Sequence, residues 1–152
     1  MDSTVLITVL SGVLTYVLGQ LILKMVIEPV QEMKKTIGLI SHVLIERANV
    51  FSNPGVPSKE VMDATSSELR KLSSQLQSHL FLVPRYEQTA KLFGLPPHQK
   101  ILTASGALIG LSNSVYRASD TVYDANAKRN ETICDSLGIF LASGERLPVE
   151  FR

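Results

Sequence analysis

The sequence predicts an all-α protein, with one N-terminal transmembrane helix followed by a small cytoplasmic helical bundle of about four to five helices. Three observations carry that expectation. A run of 21 residues from Ser3 to Leu23 contains no charge. Beyond it, apolar residues recur at three- and four-residue spacing, the period of one face of an α-helix. No segment shows the apolar and polar alternation of a half-buried strand.

Composition points the same way. Of 152 residues, 45% are hydrophobic and only 19% charged, below the roughly 25% of an ordinary soluble domain, and the mean hydropathy is positive. The length suits one modest domain. A formal net charge of +1 argues against nucleic acid as a partner. A single cysteine, Cys134, excludes a disulfide framework or a cysteine-rich zinc site within one chain, and agrees with a reducing compartment.

Residues 1–28 form the expected anchor. At 1.5 Å per residue the uncharged run covers about 32 Å, against a hydrocarbon core of roughly 30 Å. A cleaved signal peptide is the competing reading. Against it, MDST carries Asp2 and no Lys or Arg, and the first alanine of the chain is Ala48. Val17 and Gly19 satisfy a looser cleavage rule, but the apolar run continues past them through Leu21, Ile22 and Leu23, so the segment is expected to be retained. Lys24, Lys34 and Lys35 follow the span, which by the positive-inside rule puts the C-terminal body in the cytoplasm.

Within the span, Thr8, Gly12, Thr15 and Gly19 recur at spacings that stack small side chains on one helix face, with Ser11 at its border. Small residues let a second helix approach closely, so this stripe is the expected site of helix–helix association in the membrane. Tyr16, Gln20 and Lys24 form another stripe toward the cytoplasmic side, with Lys24 expected to snorkel to the headgroups.

Residues 29–51 read as a juxtamembrane amphipathic helix, with Met33, Ile37, Ile40 and Leu44 on one face. Pro29 has no N–H to offer the carbonyl of Met25 and disfavours helical geometry at Glu28, so a kink or break is expected there, at the membrane surface. Between Lys24 and Lys35 three basic residues face two acidic ones, too few for a dedicated lipid-headgroup cluster.

Residues 52–58, SNPGVPS, form the loop that precedes a bundle over 59–138. Ser58 is placed to cap a helix, with Glu60 in its first turn, and Met62, Thr65, Leu69, Leu72, Leu76 and Val83 follow the three–four repeat. His79 shares that seam. A third helix is expected from Val83-Pro84 to Gly94, and a fourth after Pro96-Pro97 with Ile101, Ala104, Leu108, Leu111 and Val115 inward. Gly106 and Gly110 lower the propensity of that helix by about 1 kcal/mol each, which calls for a packing or binding reason. With Ser112, Asn113 and Ser114 they form the candidate pocket or close-packing ridge. A last helix is expected from about Asp124 to Leu137, with Ile133, Cys134 and Leu137 inward and Gly138 as its C-cap. Residues 139–152 form a short tail, apolar enough to pack on the bundle or on a partner.

Motifs of catalysis are missing. The sequence has no G-x-S-x-G elbow, no Walker loop, no H-E-x-x-H and no dinucleotide fingerprint. His42, His79 and His98 fall in separate segments, so no i, i+4 metal pair exists. Carboxylates lie beside basic residues, as at Glu46-Arg47 and Glu68 near Arg70 and Lys71, the pattern of a solvated helix surface. Neither a catalytic residue nor a cofactor is expected.

The succession VLGQ at 17–20, IEPVQE at 27–32, KKTIG at 34–38, SNP at 52–54 and LIGLSNS at 108–114 resembles a group of small uncharacterised bacterial single-span membrane proteins with a cytoplasmic helical body. The resemblance covers most of the chain and implies a bacterial inner membrane location. It carries no activity and no site residue across.

Taken together, the expected function is that of a membrane-anchored helical interaction or scaffold module without catalysis, in contact with the lipid bilayer. It would self-associate or serve as an accessory subunit beside another membrane protein. An alternative is a membrane-acting effector, a pore-forming or defence component triggered through the cytoplasmic body, for which the Tyr16, Gln20 and Lys24 stripe speaks. A third reading is an enzyme acting on a lipid or small molecule at the Ser112–Asn113–Ser114 run.

Overall fold

The structure, a computed structural model, describes residues 3–142, and within them the chain is all-helical with no strand. Seven α-helices follow in order: α1 (Ser3–Ile22), α2 (Glu28–Glu46), α3 (Ala48–Ser52), α4 (Lys59–Leu82), α5 (Tyr86–Phe93), α6 (His98–Ser114) and α7 (Asp120–Leu137). A π-helical turn, Leu23–Ile27, joins α1 to α2, so that Ser3–Glu46 is one unbroken helix. The expectations at Met1 and Asp2 and over 143–152 fall outside the described residues.

Pro29 thus does not break the chain. The backbone absorbs it one turn earlier: in the π turn the Glu28 N–H reaches back five residues to the Leu23 carbonyl. The widened turn accommodates a ring that, in a regular helix, collides with the carbonyl four residues upstream. Proline at the second position of α2 then costs that helix little.

Four long helices make the body. α6 packs along both α4 and α7, α2 lies along α4, and α3 bridges α2 and α7. α2 is therefore a wall of the bundle and not a separate stalk: Val30, Met33, Ile40, Val43 and Leu44 are all buried. Their spacing of three, seven, three and one gives α2 a single apolar face. It meets Leu69, Leu72 and Leu76 from α4, and Ile101, Ala104, Leu108 and Leu111 from α6, with Val115 just after it, complete the centre.

The helix ends explain where each element stops. Ser58 accepts a hydrogen bond from the Val61 N–H and caps α4, with Glu60 in the first turn. Gly94 and Gly138 close α5 and α7 in the left-handed region, at φ 67° and 68°, as glycine alone does without strain. Two starts differ from expectation. α5 begins at Tyr86 and not at Pro84, because Arg85 adopts φ 47° and turns the chain before the helix can start. α7 begins four residues before Asp124, where Ser119 accepts from the Val122 N–H at 3.4 Å. After Gly138, Ile139 and Leu141 are buried against the bundle, while Phe140 points outward.

Candidate functional site

The apolar helix α1 and the body are opposite in character. No residue of α1 is buried, and its valines, leucines and isoleucines are uniformly exposed. The helix is long and apolar enough to cross a membrane, and the apolar window in Ser3–Glu46 makes no core contact that would explain its composition. A core helix of a water-soluble bundle reads as similarly apolar but is packed on all sides, and this one is not.

The small-residue stripe lies on that exposed helix. Thr8 Oγ1 donates to the Thr4 carbonyl at 2.8 Å and Ser11 Oγ to the Thr8 carbonyl at 2.9 Å. Both hydroxyls are thus satisfied within their own helix. A side chain placed at Gly12 or Gly19 would meet nothing within 4 Å. The two glycines leave an open, flat face that no part of this chain occupies among the described residues. Tyr16 stands 68% exposed, at the border of that stripe.

Within the body the candidate ridge at Gly106 and Gly110 separates into two unlike positions. Gly106 faces open space, with no atom within 4 Å of where a Cβ would sit, so no helix approaches there. At Gly110 a Cβ would stand 2.6 Å from Arg129 Nε and 2.9 Å from Arg129 Cδ. The guanidinium of α7 lies across this glycine, and its Nη1 donates to Asn126 Oδ1 at 3.2 Å.

Ser112, Asn113 and Ser114 do not converge on a common site. Ser112 Oγ donates to the Ile109 carbonyl on its own helix at 2.8 Å. Asn113 is exposed and accepts from Arg70 on α4. Ser114 is buried and donates to Asn126 Oδ1 at 2.5 Å as well as approaching the Leu111 carbonyl at 2.8 Å. Each polar group is engaged with a different partner, which is how buried hydroxyls and amides are normally satisfied.

Three polar clusters that the sequence did not reveal tie the helices together. Asn126, fully buried, accepts from Ser114 and Arg129 and donates through Nδ2 to the Phe51 carbonyl at 3.3 Å, joining α7 to α6 and α3. Ser73 and Ser105 Oγ atoms lie 2.6 Å apart, and Gln77 Nε2 donates to Ser105 Oγ at 2.6 Å, joining α4 to α6. Their hydrogen-bond partners among the described residues are one another and backbone carbonyls, so neither serine has the base that a nucleophile requires.

The third cluster joins α2 to α4. His79 Nε2 lies 3.0 Å from Thr36 Oγ1, which in turn donates to the Glu32 carbonyl at 3.0 Å. With the threonine proton so used, the imidazole donates from Nε2, and the buried Nδ1 has no partner among the described residues. Protonation would put an unsolvated charge and an unmatched donor in the core. Burial accordingly lowers the His79 pKa from its ordinary value of 6.5, against a smaller opposing pull from the Glu32 carboxylate. Tyr86 behaves likewise: its hydroxyl donates to the Pro96 carbonyl at 2.7 Å and lies 3.4 Å from Met33 Sδ. Burial, aided by Glu87, pushes its pKa up to about 12.

A shallow groove between α2 and α4, with Leu39, Val43 and Leu72 as its floor, carries His42, Glu68 and Lys71 at its sides. His42 pairs with Glu46 at 3.5 Å, and Arg47 lies 3.9 Å from both Glu46 and Glu68, a loose surface network. No group of three His, Cys, Asp or Glu side chains among the described residues is arranged to hold a metal ion. Cys134 is buried on α7, its Sγ 3.5 Å from Asn130 Oδ1. No protein family, curated protein or solved structure matches the chain.

Proposed function

We propose that this chain is a single-span, membrane-anchored helical interaction module, which self-associates or serves as an accessory subunit of a membrane complex and performs no chemistry of its own. One observation carries this reading: α1 buries none of its residues, although it continues without interruption into a helix that supplies the wall of a packed core. An apolar helix exposed on every face is stable only in lipid or against other apolar helices, since each square ångström left in water costs roughly 25 cal/mol. Lipid covers most of that surface, and a second helix the Thr8, Gly12, Thr15 and Gly19 face.

Orientation follows from charge. Lys34 and Lys35 are exposed on α2 beyond the apolar run, as expected of a body retained in the cytoplasm of a bacterial inner membrane. The commitment of Ser73 to Ser105, Ser114 to Asn126 and Thr36 to His79 as ties between helices supports an interaction role over catalysis.

Alkaline carbonate washing of membranes from expressing cells, followed by protease treatment of spheroplasts, tests anchor and topology together. The protein should stay in the pellet until detergent is added, and its body should resist protease until the spheroplasts are lysed. Release by carbonate would refute the anchor.

A further inference from the structure

Among the described residues, the most exposed apolar side chains of the body gather at one end. The start of α2 lies beside the end of α4, because Thr36 meets His79, and beside α5, because Met33 meets Tyr86. α5 links the end of α4 to the start of α6. Lys100 reaches the Asp135 carbonyl, which puts the end of α7 and the residues after it at the same end of the bundle. The opposite end holds the 53–58 loop and the turn after α6, where the Gly55 N–H donates to the Val115 carbonyl at 2.8 Å.

Large apolar side chains more than half exposed are unevenly divided between these two ends. Among the described residues, Phe81 (89%), Leu82 (59%), Leu92 (79%) and Phe140 (86%) belong to the end where α1 enters the body, and Val56 (75%) alone to the other. Each comes from a helix end or connection, whose residues are otherwise polar in a domain surrounded by water. Phe81 and Leu82 sit between buried His79 and buried Val83, so the last turn of α4 turns both faces to use, one inward and one out.

We propose that this end of the bundle rests on the bilayer that α1 enters, with Phe81, Leu82, Leu92 and Phe140 seated among the lipid headgroups and upper acyl chains. The inference rests on α1 being a membrane anchor and adds a second, peripheral contact to it. The occupant is lipid because these residues lie at the end of the bundle that α1 leaves. Phe81 and Leu82 lie level with about Met33, roughly 14 Å along the helix from Lys24 at 1.5 Å per residue. The headgroup layer spans the first few ångströms of that distance, and a tilt of about 20°, usual for single spans, together with the length of a phenylalanine side chain, closes most of the remainder. Aromatic side chains favour this interfacial zone. Two contacts, one spanning and one peripheral, would fix the attitude of the body toward the membrane.

The chain contains no tryptophan, so single substitutions report without background. Full-length Phe81→Trp, Leu92→Trp and Phe140→Trp proteins, with Val56→Trp as the distal control and Val13→Trp as the span control, are reconstituted into phosphatidylcholine vesicles. The lipids carry bromine either near the headgroup or near the end of the acyl chain, and circular dichroism confirms equal helix content. The expected result is loss of emission from the three patch positions with bromine near the headgroup, loss from Val13→Trp with bromine near the chain end, and none from Val56→Trp. Quenching of Val13→Trp without quenching at the patch would overturn the peripheral contact and leave the anchor standing. Absence of quenching at Val13→Trp would refute the anchor itself. Blue-shifted patch emission that lipid bromine does not quench would mean that protein, a second copy or a partner, covers the patch, and would also overturn the proposal.

Discussion

Replacing Gly106 and Gly110 one at a time by alanine separates two explanations for glycine in the middle of α6. Both residues have helical backbone geometry, so alanine gains about 1 kcal/mol of helix propensity at either site, partly by restricting the unfolded chain. At Gly106 nothing opposes that gain, because the new Cβ meets no atom within 4 Å. At Gly110 the Cβ would collide with Arg129 Nε and Cδ, and the guanidinium must swing away from Asn126 Oδ1. A hydrogen bond from a charged group contributes about 1.5–3 kcal/mol, and less where the arginine is half-exposed, so its loss offsets the propensity gain in part or in full. For a body of this size 1 kcal/mol corresponds to about 4 °C in the melting temperature. Thermal unfolding of the full-length protein in mild detergent, followed by circular dichroism, should therefore show Gly106→Ala raised by about 4 °C and Gly110→Ala raised clearly less or not at all. Equal stabilisation by both would show that Arg129 is not held over Gly110, and destabilisation by Gly106→Ala would contradict the open space there.

Three further outcomes are expected. Asn126→Ala deletes a buried amide that joins Ser114, Arg129 and the Phe51 carbonyl, and should cost about 2–3 kcal/mol in chemical denaturation, since it strands buried partners. His79 has a folded pKa below its ordinary 6.5, so the unfolded state binds the extra proton first as the pH falls. Stability is then fully present above about pH 6.5 and is lost as the pH drops through the folded pKa, a dependence that melting curves at stepped pH should show and that His79→Gln should flatten. Gly12→Leu combined with Gly19→Leu fills the open face of α1 and should reduce the oligomer mass in detergent while leaving the melting of the body unchanged, since neither position touches it.

Most of the bundle could be read from apolar spacing. The seams of α2, α4 and α6 are written in leucine, isoleucine and valine, and the left-handed glycines at 94 and 138 mark the ends of α5 and α7 because few other residues tolerate that backbone. α7 was harder to place because its inward face carries Asn126 and Asn130 at i and i+4, amides that interrupt the apolar period although both are buried. Pro29 signalled an irregularity without saying which: a proline that breaks an isolated helix is absorbed by a π turn where tertiary packing holds α2 in place. The Thr36–His79 contact joins residues 43 apart, and the Arg129 guanidinium reaches Gly110 from another helix, so no local pattern announces either. The long apolar N-terminal helix was legible from its uncharged run, and the structure has there one helix long and apolar enough to cross a membrane.

The mass and composition of the native complex bear most directly on the role proposed here. The full-length protein, tagged and extracted from its own membranes in mild detergent, is measured by light scattering with the detergent contribution subtracted, and its components are identified by mass spectrometry. An interaction module predicts a defined assembly well above the 16.7 kDa of one chain, either a homo-oligomer or a stoichiometric complex with another membrane protein. A monodisperse monomer with no companion would contradict it.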